Sequence, residues 1–212
     1  MTQQLKLAEL LCTRLCHDLT GPVGAIANGM EFLQEDDKMQ EQATDLIASS
    51  AAQAVARLQF YRKTYGRINE NGEANLDELR LVARNFFGEG KIKLDWPDMY
   101  ADAAGVALSY RMGRLLFNLL LIASATLLRG GTLAVVITGT GSSKEIALKA
   151  SGKSLKWEKE TGEVLSGNVS FESLTPKNIQ IYLTHLLAKE LDARIVCHAD
   201  ADAVEIKAIR TR

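Results

Sequence analysis

The sequence is short of proline, cysteine and net charge. Only 3 of its 212 residues are Pro and 3 are Cys, and the formal net charge is -1 at pH 7. So little proline excludes collagen-like and proline-rich proteins. A near-neutral chain has no general electrostatic attraction to nucleic acid or to an anionic membrane, so neither is expected as a partner. An odd number of cysteines without framework spacing favours a reduced, cytoplasmic location over a disulfide-rich secreted one.

Long hydrophobic runs are also absent from the sequence. The most apolar stretch, from Leu115 to Leu128, has 14 residues and is interrupted by Asn118, Ser124 and Thr126. A membrane-spanning helix needs about 18 or more apolar residues, so no transmembrane segment is expected. The N-terminal residues carry charges at helical spacing rather than the apolar core of a secretory signal. With 47% hydrophobic residues, the chain can still bury a substantial core.

Residues 1–66 show the periodicity of a helical hairpin. Apolar and small residues recur at alternating steps of three and four from Leu5 to Leu33, and a second stripe runs from Ile47 to Tyr65. This spacing is typical of helices that pack along a seam. A polar turn at 35–38 separates the two predicted helices. Because a lone hairpin buries little apolar surface, we predict that two copies pair into a homodimeric four-helix bundle.

Gly21 and Pro22 lie inside the first predicted helix. An interior proline costs a helix about 3 kcal/mol, and an interior glycine up to about 1 kcal/mol. The apolar stripe nevertheless continues past both residues, which favours one kinked helix over two shorter ones.

The remainder of the chain, residues 76–212, mixes helices and strands. The order of elements predicts an α/β sandwich, one sheet covered by helices, and residues 67–75, rich in Asn, Gly and Glu, are the expected linker. The whole chain is therefore predicted to be an α+β protein. The predicted helices are 76–87, 110–128 and 176–191, the last with Thr175 as its N-cap, and the predicted strands are 91–95, 133–137, 146–149, 194–198 and 204–209.

His17 is the first candidate for chemistry. The helical repeat places it opposite the apolar stripe, where an imidazole faces solvent and can act as a nucleophile. Asp18 follows directly and could favour the useful tautomer, although only from the rim, because adjacent side chains diverge on a helix. An incidental surface histidine is the alternative. The helical neighbours of His17 are small, polar or basic apart from the first of them: Leu10, Thr13, Arg14, Thr20, Gly21 and Gly24.

The segment around His17 resembles a known phosphoacceptor motif. His17-Asp18-Leu19-Thr20-Gly21-Pro22 is similar to the H-box of histidine kinase dimerisation domains. The longer run 14–26 is similar to the ChpT-type histidine phosphotransferases of alphaproteobacteria. In that family a dimeric helical hairpin precedes a domain that resembles the histidine kinase ATPase domain and has lost nucleotide binding.

This resemblance implies a role in a phosphorelay. His17 and Asp18 would be the catalytic residues, and His17 would carry a phosphoryl group from the receiver domain of a hybrid histidine kinase to the receivers of response regulators, such as CtrA-type cell-cycle regulators. The partner receiver would supply magnesium, so no cofactor of the chain's own is expected. The docking face for receivers would comprise Leu10, Thr13, Arg14, Thr20, Gly21 and Gly24.

The second half of the chain lacks the features that a nucleotide site requires. Asn118 matches the first Asn of a kinase N-box, but Ile122 stands where the second would bind magnesium, and an aliphatic side chain offers no oxygen to the cation. The Gly139-Thr140-Gly141 turn has no preceding Asp, and no glycine loop precedes the final helix. Two alternatives to a phosphotransferase remain: an active ATP-dependent histidine kinase core and a non-catalytic dimeric adaptor.

No metal site is predicted beside His17. Cys12 and Cys16 are one helical turn apart and close to it, but a structural zinc ion needs about four ligands. The remaining candidates are remote in sequence, namely Cys197, His185 and His198.

Overall fold

A helical hairpin opens the chain. The computed structural model describes residues 2–35, 39–67, 72–88, 90–97, 107–139 and 143–210. Its first two helices, α1 (Gln3–Glu35) and α2 (Gln40–Tyr65), pack against each other in antiparallel orientation. Residues 36–38 of the predicted turn and residues 68–71 of the predicted linker lie outside the described residues.

Helix α1 runs through Pro22 without a break, as the continuous stripe predicts. It has 33 residues, and Pro22 is buried rather than marking an end. Gly29 lets the two helices approach closely, because a Cβ at this position would lie 2.6 Å from Cγ1 of Ile47 and 3.3 Å from the carbonyl oxygen of Ala43.

The predicted stripe on α1 is buried along only part of its length. Leu15 and Leu19 pack against the core, whereas Leu5, Ala8 and Cys12 are exposed in the single chain. The reason is length: α1 has 33 residues and α2 has 26, a difference of about 10 Å at 1.5 Å per residue. The start of α1 therefore extends beyond the end of α2.

A five-stranded sheet forms the centre of the second half. The strands stand in the order β2-β4-β5-β7-β6, with β2 and β4 parallel and all other neighbours antiparallel. Two short strands, β1 and β3, pair separately. The strands are β1 (Glu73–Ala74), β2 (Ile92–Asp95), β3 (Leu108–Ser109), β4 (Gly131–Thr138), β5 (Lys144–Ser151), β6 (Ala193–Ala199) and β7 (Ala203–Arg210).

Helices cover one face of this sheet, which confirms the predicted α+β architecture. Buried and more exposed residues alternate along β5, and α4 packs against that strand. Eleven of the sixteen residues of α4 are buried, so this helix is the centre of the core. The helices are α3 (Leu76–Phe87), α4 (Tyr110–Ala125), α5 (Lys159–Leu165) and α6 (Ile179–Glu190), and a 3₁₀ turn spans Phe171–Ser173.

The start of α6 differs from the prediction. The helix begins at Ile179 instead of Pro176, and Thr175 is not its N-cap. The backbone amide of Thr175 instead donates a hydrogen bond to Oδ1 of Asn178 at 2.8 Å, and Asn178 donates to Glu160 at 3.0 Å. These bonds stabilise a turn over 175–178, which delays the helix by three residues.

The end of α2 is embedded in the core of the second half. Phe60 is fully buried, with its ring stacked on Phe86 at 4.0 Å and tilted against Phe117 at 4.6 Å between centroids. Phe60 lies beside the predicted α2 stripe and packs against the second half of the chain. Hairpin and sheet thus share one hydrophobic cluster.

No described helix is both long enough and apolar enough to cross a bilayer.

The close contact at Gly29 generates a stability prediction. We expect Gly29→Val to lower the free energy of unfolding by about 1–3 kcal/mol, because the added methyl groups collide with Ile47. Urea titration at a fixed protein concentration measures the change. Gly24→Val is the matched control on the same helix, since nothing lies within 4 Å of a Cβ there. Equal effects of the two substitutions would contradict the packing argument.

Candidate functional site

His17 projects into solvent from α1, and its side chain is 87% exposed. Its Nδ1 atom lies 3.3 Å from Oδ1 of Asp18. The sequence argument expected Asp18 to help only from the rim, so this direct contact corrects it. The two adjacent side chains meet because other residues turn the Asp18 carboxylate toward the imidazole.

Three side chains surround Asp18 on its other side. The Tyr61 hydroxyl donates a hydrogen bond to Oδ2 of Asp18 at 2.9 Å, and Nε of Arg14 lies 3.8 Å from the same oxygen. Arg57 donates to the backbone carbonyl of Asp18 at 3.0 Å. The carboxylate is therefore held between α1 and α2, with Oδ1 left for His17.

This arrangement favours one tautomer of the imidazole. When Nδ1 carries the proton and donates it to the carboxylate, Nε2 keeps its lone pair. Nε2 is then the nucleophilic atom, and it lies on the exposed side of the ring. A histidine ordered in this way is suited to attack an electrophile delivered by another molecule.

The two tyrosines near Asp18 remain protonated donors. Burial raises the pKa of the Tyr61 hydroxyl far above its ordinary value, and the Asp18 carboxylate raises it further. Burial also raises the pKa of Tyr65 to about 12, against an opposing effect of Arg14. Both hydroxyls can therefore donate hydrogen bonds at any physiological pH.

A groove of about 560 Å³ opens beside His17. One wall is α1, with Thr13, Arg14, His17 and Asp18, and the other is the turn before α6, with Thr175, Pro176 and Lys177. Arg14 spans the two walls, since its Nη1 donates to the carbonyls of Pro176 at 3.4 Å and Lys177 at 3.5 Å. The sequence analysis missed the second wall, because no local signal links residues 175–177 to His17.

The remaining predicted docking residues lie along α1 outside this groove. Gly21 and Gly24 leave open space above the helix, since nothing lies within 4 Å of a Cβ at either position. The Thr20 hydroxyl bonds back to the carbonyl of Cys16, and Leu10 is half-buried. Around Gly21 and Gly24, α1 therefore presents a surface without protruding side chains, which another protein can approach closely.

Asn118, the residue that matches a kinase N-box, is fully buried and already fully bonded. Its Nδ2 donates to the carbonyls of Thr64 at 3.1 Å and Arg114 at 2.7 Å. Its Oδ1 accepts a hydrogen bond from Gln180 at 2.6 Å, and Gln180 in turn accepts one from the Tyr65 hydroxyl. In this chain Asn118 fastens the end of α2 to α4 and α6.

Ile122, one turn after Asn118, lines a small cavity of about 210 Å³. Ligand pockets usually enclose about 300–1,000 Å³, so this cavity is small for a nucleotide. Its lining combines an apolar wall of Leu121, Ile122 and Ile181 with polar side chains that include Glu158 and Gln180. Ile122 itself offers no oxygen to a magnesium ion.

Among the described residues, no three His, Cys, Asp or Glu side chains cluster closely enough to hold a metal ion. Cys12 and Cys16 are free and exposed near His17. His185 contacts the carbonyl of Leu165 at 2.9 Å, and His198 lies on β6 near Asp200.

Comparison with known proteins identifies the family. The family model for the C-terminal domain of histidine phosphotransferases matches residues 76–203. The protein phosphotransferase ChpT of Brucella abortus (strain 2308) is 36% identical over 205 residues, covering 96% of this chain and 95% of that protein. The chain belongs to the histidine phosphotransferase family.

A solved structure agrees with this assignment to the histidine phosphotransferases. The 1.7 Å structure of a bacterial phosphotransferase superposes with a TM-score of 0.83 at 34% identity and covers 96% of each chain. A histidine kinase domain from Erythrobacter litoralis EL346 also matches, with a TM-score of 0.49 at 13% identity, over 90% of this chain and 95% of that one. The predicted resemblance to ChpT-type phosphotransferases is thus confirmed.

The buried bonds of Asn118 generate a second prediction. We expect Asn118→Leu to lower the free energy of unfolding by about 1–3 kcal/mol, because the Gln180 amide loses its buried acceptor. Urea denaturation measures this loss. Ser124→Ala on the same helix removes a hydroxyl that bonds only the carbonyl of Leu121, and it should change stability by less than about 0.5 kcal/mol. An Asn118→Leu variant as stable as Ser124→Ala would show that the network does not fasten the helices.

Proposed function

We propose that this histidine phosphotransferase works in a phosphorelay and carries the phosphoryl group on Nε2 of His17. The observation that supports this most directly is the exposed imidazole with Nδ1 against Asp18, at the mouth of a groove between two domains. A histidine ordered by a neighbouring carboxylate and open to solvent is suited to a macromolecular substrate rather than an enclosed small one.

The transfer step needs no water and no oxidant. The Nε2 lone pair attacks the phosphorus of an aspartyl phosphate on the donor receiver, and the bond from phosphorus to the donor carboxylate oxygen breaks. The electron pair of that bond returns to the donor carboxylate. Asp18 stabilises the positive charge that develops on the imidazole through the proton at Nδ1. Transfer to a second receiver runs the same step in reverse.

Positive charge near His17 supports the approach of a phosphorylated partner. Arg14 and Lys177 line the groove on its two sides, and Lys177 is exposed. Phosphoryl transfer depends mainly on positioning and on stabilising charge over the phosphoryl oxygens. We propose that the receiver brings the magnesium ion, so the chain requires no cofactor of its own.

The partners we propose are receiver domains. The donor would be the receiver of a hybrid histidine kinase, and the acceptors would be response regulators, with CtrA-type cell-cycle regulators as the candidates suggested by the family resemblance. A receiver could pack against the α1 surface around Gly21 and Gly24 while contacting Thr13 and Arg14 in the groove. We also propose a cytoplasmic location, which suits the three free cysteines.

We further propose that the chain acts as a homodimer through its hairpin. Val23 and Met30 on α1 and Val55 and Leu58 on α2 are 47–55% exposed in the single chain. Each of these four residues comes one or four positions after a residue at the α1–α2 contact. On antiparallel helices the same offset turns side chains to the same side, so the four residues share one face of the hairpin. A second copy offers the same face and would close a four-helix bundle about a two-fold axis.

The relay proposal predicts label on His17 alone. We would incubate wild type, His17→Ala and His198→Ala with a labelled phospho-receiver of a hybrid kinase, in magnesium and without ATP. We expect acid-labile label on wild type and on His198→Ala, whose histidine is also exposed, and none on His17→Ala. A parallel sample with labelled Mg-ATP and no receiver should give no label.

Each other outcome of this experiment has a clear meaning. Label from ATP would establish a histidine kinase. The absence of label with every cognate receiver, together with signalling that survives His17→Ala in cells, would establish an adaptor.

The dimer proposal predicts dissociation on charging the exposed stripe. We expect the double variant Val55→Glu, Leu58→Glu to run as a monomer in size-exclusion chromatography with light scattering, while wild type runs as a dimer. Leu81→Glu on α3, where the leucine is 59% exposed, is the matched control and should remain dimeric. A monomeric wild type at tens of micromolar would refute the proposal.

A further inference from the structure

Tyr61 binds the one carboxylate that contacts the phosphoacceptor. Its hydroxyl donates to Oδ2 of Asp18 at 2.9 Å, while Oδ1 of the same carboxylate lies 3.3 Å from Nδ1 of His17. The three side chains therefore form a line from α2 to the exposed imidazole on α1. Tyr61 itself does not line the groove, so it acts only through Asp18.

The Tyr61 ring has little freedom to leave this position. It is 6% exposed, and it packs edge-on against Phe60 and Phe86 and at 5.7 Å from the Tyr65 ring. These aromatic neighbours belong to the cluster that joins the hairpin to the sheet domain. The hydroxyl is thereby presented to Asp18 from a closely packed aromatic cluster.

Neither arginine near Asp18 can replace this hydrogen bond. Arg57 donates to the backbone carbonyl of Asp18, which orients the helix but not the carboxylate. Arg14 directs Nη1 to the carbonyls of Pro176 and Lys177, and its Nε stays 3.8 Å from Oδ2, beyond hydrogen-bond distance. Without the Tyr61 hydroxyl, the carboxylate would be free to rotate toward Arg14 and away from His17.

We propose that Tyr61 is a positioning residue that selects the tautomer of His17, by holding Asp18 so that its free oxygen accepts the proton of Nδ1. The inference deepens the proposed phosphotransfer function and names the residue that keeps Nε2 available for the phosphoryl group. Because burial and Asp18 raise the pKa of the Tyr61 hydroxyl, it remains a donor throughout the physiological range.

Tyr65 provides a matched control one helical turn away. Its ring contacts that of Tyr61, it is also largely buried, and its hydroxyl donates to Gln180 rather than to Asp18. Tyr65→Phe therefore removes a buried phenolic hydroxyl from the same helix, together with its interactions with Gln180 and Arg14, and leaves the Tyr61 hydrogen bond to Asp18 in place. Urea denaturation of both Phe variants checks that each one folds.

The first test reads the tautomer directly. In full-length protein with ¹⁵N-labelled histidine, NMR correlations of the ring nitrogens report which one is protonated, and the His17→Ala spectrum assigns the His17 signals. We expect wild type and Tyr65→Phe to be predominantly Nδ1-protonated, and Tyr61→Phe and Asp18→Asn to shift toward the Nε2-protonated form. A Tyr61→Phe spectrum identical to wild type would overturn the proposal, whatever the phosphotransfer result.

The second test reads the consequence for the reaction. We expect Tyr61→Phe to slow phosphoryl transfer from a phospho-receiver roughly tenfold, with the half-saturating receiver concentration unchanged. Adding Tyr61→Phe to Asp18→Asn should slow the reaction no further, because both substitutions remove the same alignment. Full additivity of the two losses would overturn the proposal, even though wild type takes up label.

The two tests separate the positioning inference from the relay itself. If wild type took no label, the phosphotransfer function would fail, and the NMR comparison would still decide whether Tyr61 controls the tautomer of His17.

Discussion

The contact between the last turns of α2 and the buried helix α4 supports everything else in this molecule. Phe60 enters the aromatic cluster of the sheet domain, and Asn118 binds the carbonyl of Thr64 from within that domain. The two domains consequently have a fixed relation at the level of His17. Together with the bonds from Arg14 to the turn before α6, this junction keeps that turn beside α1 as the second wall of the groove.

The same junction gives Asn118 a structural role. A nucleotide site needs free polar groups that face a cavity, whereas Asn118 uses all of its hydrogen-bonding groups on the protein itself. Ile122 adds an apolar surface at the position where magnesium would need an oxygen. The Asn118 side chain thus joins α2, α4 and α6.

Periodic features of the fold could be predicted from the sequence, and long-range ones could not. The pattern of apolar residues predicted the five strands of the main sheet to within two residues, but not the short strands β1 and β3. The continuous stripe predicted one helix through Pro22. The predicted start of α6 was wrong. Thr175 was expected to accept a capping hydrogen bond, but its backbone amide donates one to Asn178 instead. Phe60 was not predicted as a core residue, because it packs against the sheet domain and lies outside the helical stripe of α2.

The candidate site divides in the same way. His17, Asp18 and Arg14 could be named from one segment, because they share a helix and a motif. Tyr61 was recognised only as an apolar stripe residue, since its hydroxyl bond to Asp18 joins residues 43 positions apart. The wall at 175–177 is still more remote, and no local pattern connects it with α1.

That remoteness has a consequence for how the chain acquires its activity. The bond between Arg14 and the carbonyl of Lys177 joins residues 163 positions apart, so the groove closes only after most of the chain has been synthesised and folded. A truncated or partly unfolded molecule displays His17 beside an incomplete binding surface.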